Sequence, residues 1–221
     1  MENETLFTQR PIIVGKIKDF AWDAMKDKWG CGALIVFLSS LLTFIVPAIP
    51  AAFLEENSIP LLVCNLVTTI TTTGILFGFY VCFLDNARQK PLSTATLFTA
   101  FRNMNYFLKV IATEFLQYIF IFLWSLLLIV PGIIKMYSYS MTELILADHP
   151  EYSPLQAITA SKEMMYGHRM QLFYLQIAFS LWFLLTLVTF GIACLWVSPY
   201  YLTAKSKLYL EIKDRQEKRP A

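Results

Sequence analysis

A chain of 221 residues has room for one or two soluble domains, but 57% hydrophobic against 15% charged residues, at a mean hydropathy of +0.54, leaves too little polar surface to coat a globule. The net charge of +2 gives no case for nucleic acid. The four cysteines stand singly in apolar runs without CxxC or Cys/His spacing, which excludes a zinc site and a disulfide framework from the reading.

Uncharged runs of 26, 28, 20 and 35 residues follow Lys28, Glu56, Glu114 and Arg169. Each exceeds or matches the roughly 20 residues a helix needs to cross a bilayer core. The expected fold is therefore all-α: a polytopic transmembrane helical bundle forming one integral membrane domain over residues 1–221. The first run follows a segment carrying Glu2, Glu4, Asp19, Asp23 and Asp27 rather than a short basic leader, so no cleaved signal peptide is expected.

In chain order, three amphipathic stretches each precede an apolar run. Over 12–29, Ile13, Ile17, Phe20 and Ala24 recur at helical spacing, and the following run meets Pro47 and Pro50. Over 92–109 the stripe is Leu97, Phe101, Met104 and Leu108, and the run after it meets Pro131-Gly132. The third stretch, 153–169, opens with Ser153-Pro154-Leu155-Gln156: Ser at the N-cap, Pro at N1, Gln at N3. Its run breaks at Gly191, and Pro199 follows. The spacing of Pro131-Gly132-Ile133-Ile134 and Gly191-Ile192, each with aromatic residues after it, reads as internal duplication. Residues 211–221 are charged, lack an apolar stripe and are expected to be a cytoplasmic tail, a frayed helix or a disordered segment, dispensable for insertion.

Three units of interfacial helix plus hairpin give six crossings; four is the alternative. Short cytoplasmic loops are enriched in Lys and Arg. Of the 18 basic residues, 15 fall inside with four crossings and 17 with six, because Lys162 and Arg169 join them. Six is favoured, with both termini cytoplasmic and a short fourth crossing, Ile133–Ala147, that contains Lys135 and Glu143.

The block Ile129-Val130-Pro131-Gly132-Ile133-Ile134-Lys135, then Tyr139-Ser140-Met141, Ile145-Leu146-Ala147-Asp148, Ala157-Ile158, Ser161, Met164-Met165, Gly167, Gly191-Ile192, Trp196 and Pro199-Tyr200, resembles the bacterial membrane family DUF975 over about residues 15–210. One departure is His149, where that family usually has Asn before the Pro. The resemblance implies a multi-pass bacterial inner-membrane protein and brings no established activity.

Polar residues inside apolar runs are the functional candidates, since an intramembrane charge costs a few kcal/mol on insertion scales. Glu114, Lys135 and Glu143 are singled out, with Lys135 and Glu143 as a pair. The bland reading is that Glu114 snorkels beside Lys109 and that the pair is structural. Asn65 and the threonines from Thr68 to Thr73, with the Gly74-xxx-Gly78 motif, read as helix packing. Pro131, Gly132, Gly191 and Pro199 read as helix breaks. There is no HExxH, phosphate loop or GxSxG, so no catalytic, cofactor or metal residue is assigned and no enzyme is expected. The expected role is a non-enzymatic accessory module that touches the lipid bilayer and a membrane-protein partner or second copy. The alternative is a small permease for an amphiphilic or peptide substrate.

Overall fold

The computed structural model describes residues 12–55 and 58–218. Arg10, Glu56 and residues 219–221, which entered the topology reading, lie outside them. The described residues are helical, without strands.

The amphipathic helix α1 (Val14–Met25) buries Ile17, Ala21 and Met25, an i, i+4, i+8 row. The long helix α2 (Trp29–Phe53) runs straight through Pro47 and Pro50, so neither ends it. Proline in a lipid-facing helix is tolerated where neighbours re-satisfy the freed carbonyl. The next helix, α3 (Ile59–Ala87), is capped by Ser58, whose hydroxyl accepts from the Leu61 N–H, with Pro60 in the first turn. A 3₁₀ segment (Thr94–Arg102) and α4 (Met104–Leu127) follow. Then come α5 (Ile129–Ser138), α6 (Thr142–Asp148), α7 (Pro154–Met164), α8 (Arg169–Val188) and α9 (Cys194–Glu217). Four of these, α2, α3, α4 and α8, are long and apolar enough to cross a membrane. Their outward side chains are themselves apolar, Phe53, Leu126 and Leu181 among the most exposed, and polar residues such as Asn86, Glu143 and Lys205 are buried inside. That is the arrangement expected of a bundle solvated by lipid.

The expected amphipathic helix over 92–109 is two elements. Asn103 takes an extended conformation (φ −143°, ψ 124°) and caps α4 through the Asn105 N–H, which ends the 3₁₀ segment one residue earlier. Of the expected stripe only Leu97 is buried; Met104 and Leu108 face outward, and Phe101, 37% exposed, packs on Phe107 and across Gly74. The third amphipathic stretch folds as expected at its start, with the reciprocal Ser153/Gln156 capping box.

The Gly74-xxx-Gly78 motif packs within the chain. A Cβ at Gly78 would overlap the Leu97 carbonyl of the 3₁₀ segment, and one at Gly74 would meet the Phe101 ring at 2.7 Å. Four of the five threonines bond back to their own helix: Thr68 and Thr69 donate to the Asn65 carbonyl, Thr71 to Val67 and Thr73 to Thr69. Hydroxyls bonded back one turn cross lipid without an open donor.

From the far end of α4 the chain doubles back. The break is Leu128 (φ −161°, ψ 144°), and Pro131 and Gly132 lie inside the first turns of α5 rather than at the break. A Cβ at Gly132 would overlap Ser125, so the two helices touch there. The α5–α6 arm then runs antiparallel to α4: Lys135 lies over Trp124, Tyr139 near Phe120, Glu143 at Gln117, and the Leu146 carbonyl at the Tyr106 hydroxyl. The step between α5 and α6 is stapled from α7. The Ser161 hydroxyl donates to the Ser138 carbonyl (2.9 Å) and accepts from the Met141 N–H (3.2 Å). Those are the backbone groups that a helix end leaves unmet.

A second hairpin joins α8 to α9 through Phe190 (φ 50°) and Gly191 (φ 88°), so the expected break at Gly191 is a left-handed turn that glycine favours. Pro199 breaks nothing; α9 continues unbroken from Cys194 to Glu217. The first part of the expected charged tail is helical and carries an apolar position. Residues 211–217 are the last turns of α9, and Ile212 is fully buried. The apolar row Leu208–Ile212 continues the i, i+4 spacing past the point where charges dominate the composition.

Candidate functional site

Two polar clusters join the helices where the arm returns. The first is centred on Glu143 of α6, only 7% exposed. Its carboxylate accepts a hydrogen bond from Gln117 Nε2 of α4 at 3.2 Å. Glu114 and Tyr118 share that α4 face with Gln117 at i−3 and i+1, and both interact electrostatically with Glu143. The cation facing both glutamates is Lys205 of α9, 8% exposed, whose ammonium lies 4.9 Å from the centre of the Tyr80 ring on α3. Among the described residues, Lys205 makes no hydrogen bond or close ion pair. Helices α3, α4, α6 and α9 thus each place one or more polar side chains around one buried point.

Sequence reasoning finds Glu114 and Glu143 and misassigns their partner. Lys135 sits over the Trp124 ring at 4.3 Å and its charged neighbours are Lys162 and Arg169. The expected Lys135–Glu143 pairing assumes one continuous helix; the step at residues 139–141 turns the two faces apart. Glu114 does not turn to Lys109, which instead donates to the Pro150 and Glu151 carbonyls. Lys205 is counted in the sequence as one more basic residue near the C-terminus. The available signal is its setting: Ala204 and Ser206 flank it, and Tyr201 and Tyr209 stand at i−4 and i+4, a row that reads as a helix face inside a bundle.

Further polar contacts tie helices of the bundle together. Asn86 donates to the Thr203 hydroxyl and accepts from Lys28, tying α3 to α9 and to the start of α2. Tyr137 donates to Gln176, which donates to Tyr201.

The second cluster lies at the basic end. Asp148, its side chain 3% exposed, pairs with Arg88 at the end of α3 and with Lys213 of α9 (2.9 Å), and accepts from the Tyr209 hydroxyl (2.8 Å). Burial alone would push its carboxyl up; the hydrogen bonds from Arg88, Lys213 and Tyr209, with the Arg88 charge, outweigh burial and hold it below the ordinary carboxylate range. This clasp brings residues 148–151 to the same end of the bundle as Arg88, Lys109 and the last turns of α9.

No group of three or more His, Cys, Asp or Glu side chains is arranged to hold a metal among the described residues, and the four cysteines are free. Of the two histidines, His149 pairs with Glu151 and stacks on Tyr152.

Residues 126–216 match the model of a family described as Protein of unknown function (DUF975), the family that the Pro131-to-Asp148 block resembles. The match covers the α5–α6 arm, the Ser161 staple, Asp148 and Lys205. No curated protein and no solved structure matches the chain.

Proposed function

We propose, with the DUF975 match over residues 126–216 as premise, that this is a multi-pass protein of a bacterial cytoplasmic membrane acting as a non-enzymatic module that contacts lipid and partner proteins through its basic end. The observation that carries the reading is the layer at that end. There α1, the 3₁₀ segment and α7 cap the spans and leave apolar side chains such as Trp22, Phe98 and Leu155 exposed among cations. Amphipathic elements of this composition lie in the lipid interface. Native mass spectrometry after gentle extraction should find lipid retained on the protein. A lipid-free chain that also ignores vesicles would remove the reading.

The topology that goes with it is six crossings, both termini cytoplasmic, the α5–α6 arm and the first half of α9 serving as the fourth and sixth. Support comes from the clasp, which holds residues 148–151 beside Arg88 and Lys213. Ser161 is a poor reporter because it is buried and bonded to both sides of the arm. Thr159 is exposed. A Thr159→Cys variant lacking Cys31, Cys64, Cys82 and Cys194 should react with an impermeant maleimide only after spheroplast lysis. Labelling in intact spheroplasts would sink the six-crossing topology.

A second reading, a small permease, is favoured by one observation: the buried Lys205 interacts with Glu114 and Glu143 only through their charge and has no close ionic partner among the described residues. Charges of that kind mark pathways in transporters. Full complementation of a null phenotype by both Glu143→Gln and Lys205→Gln would dispose of it.

A further inference from the structure

Two features meet at the junction of the 3₁₀ segment and α4. One is a cavity of about 360 Å³ at the basic end, lined by Thr99, Arg102, Asn103, Asn105, Tyr106 and Lys109, with Ala147 and Pro150 closing one side. It holds two cations. Arg102 is exposed and makes no hydrogen bond or ion pair with a described residue. Lys109 donates to the Pro150 and Glu151 carbonyls, which fixes its ammonium at the rim. Glu151, which contacts His149, sets one negative charge near the two cations, and the lining itself holds no acid, so the cavity is net basic.

The other feature is the amphipathic stripe. Phe101, Met104 and Leu108 recur at helical spacing yet are 37%, 68% and 55% exposed, and Phe98 beside them is 51% exposed. On α4, Met104 and Leu108 make one i, i+4 row, and Asn105 and Lys109 make the next, about 100° round the helix. An apolar row thus stands directly beside a cationic, amide-lined cavity, on a helix apolar enough to cross a bilayer.

We propose that this junction is a binding site for the phosphodiester headgroup of an anionic phospholipid, with the headgroup between Arg102 and Lys109 and an acyl chain along Met104 and Leu108. A guanidinium forks onto two phosphate oxygens, and Asn103 and Asn105 add amide donors at the same rim. A zwitterionic lipid would set its own cation against Arg102. A soluble phosphate would satisfy the cavity and leave the apolar row without a role. The site rests on the lipid-contact reading above and specifies where that contact is made and by which headgroup.

The test uses the full chain in detergent, exchanged against phosphatidylglycerol or phosphatidylcholine of identical acyl chains and read by native mass spectrometry, with glycerol 3-phosphate as soluble competitor. Phosphatidylglycerol should be retained over phosphatidylcholine. Each of Arg102→Gln and Lys109→Gln should cut its retention about fivefold, the effect of one cation at an anionic lipid surface. Met104→Ser with Leu108→Ser should weaken both lipids alike. Arg102 makes no hydrogen bond or ion pair with a described residue, so Arg102→Gln stays interpretable if Lys109→Gln loosens the Pro150 turn. Equal retention of the two lipids, or an unchanged Arg102→Gln, overturns the site while leaving general lipid contact standing. Displacement of phosphatidylglycerol by equimolar glycerol 3-phosphate overturns the lipid assignment. Loss of all lipid from the wild type instead defeats the broader reading.

Discussion

The Asp148 clasp and the Glu143–Lys205 cluster are both buried, both ionic and both built across α3, α6 and α9, yet they are finished to different degrees. Asp148 accepts from three side chains and both of its oxygens are used. Glu143 accepts one side-chain hydrogen bond, and Lys205 makes none with a described residue. A buried ion pair holds a fold together only when its remaining donors and acceptors are met. The clasp therefore locks the return of the arm, and the cluster contributes little to holding it. The difference separates the groups that maintain the architecture from those available for function.

Truncation after Leu210 should have the largest effect. It removes Ile212 from the core and Lys213 from the clasp while leaving Glu143 and Lys205 in place. Loss of a fully buried isoleucine alone costs about 2–5 kcal/mol. The truncated chain should give no monodisperse peak on size exclusion in mild detergent. A sharp peak at the wild-type position would show that α9 ends functionally near Leu210.

That outcome bears on what is legible in the sequence. Uncharged runs find all four long apolar helices, because spanning length and composition are local properties of the chain. The Ser153 capping box and the Gly191 turn are equally local. Pairing across the bundle is not. Ile212 reads as part of a charged tail because it is the single apolar position among the polar and charged residues 211–218. Lys205 reads as a topology signal because nothing in the chain says that Tyr80 and Glu143 await it. The stripe through Phe101 and Leu108 is real as periodicity, but Asn103 divides it between two elements and turns it outward.

Next in size is Asp148→Asn. It strips Arg88 and Lys213 of their counter-charge and should cost about 3 kcal/mol, the range for breaking a buried pair by removing one partner. Its pH dependence identifies the cause. Because the folded-state carboxyl is held below its ordinary value, the stability it confers is fully present above the unfolded-state pKa of about 3.9 and is lost as pH falls through the lower folded-state value. The gap in thermal midpoint between wild type and Asp148→Asn should be constant from neutral pH down to that range and close below it. A gap that already narrows near neutral pH would assign the loss to another group.

A smaller effect is expected of Tyr209→Phe, which removes one donor to Asp148 and keeps the ring in the core. About 1 kcal/mol is the usual size of such a hydrogen bond, somewhat more when the acceptor is charged. A thermal midpoint indistinguishable from wild type would mean that Arg88 and Lys213 suffice to satisfy the carboxylate.

The smallest effect on stability, and the most telling, should come from replacing both charged partners of the other cluster. In Glu143→Gln with Lys205→Met the Gln117 amide keeps an acceptor at position 143, and the methionine fills the stem volume of Lys205 beside Tyr80. Exchanging buried, imperfectly matched charges of opposite sign for neutral groups of similar volume is often neutral or stabilising by about 1–4 kcal/mol. The thermal midpoint should therefore equal or exceed that of wild type. The corresponding neutral pair at the clasp, Asp148→Asn with Lys213→Met, should lower it, since Arg88 loses its counter-charge and one of Arg88 and Tyr209 meets the amide NH2 where it had an acceptor. Measuring the two double variants side by side in one detergent removes effects of solubilisation. If the Glu143/Lys205 variant melts as early as the clasp variant, the cluster holds the fold after all and the permease reading loses its structural ground. If it melts at or above wild type and fails to complement a null phenotype, the charges at Glu143 and Lys205 are kept for what they do rather than for what they hold.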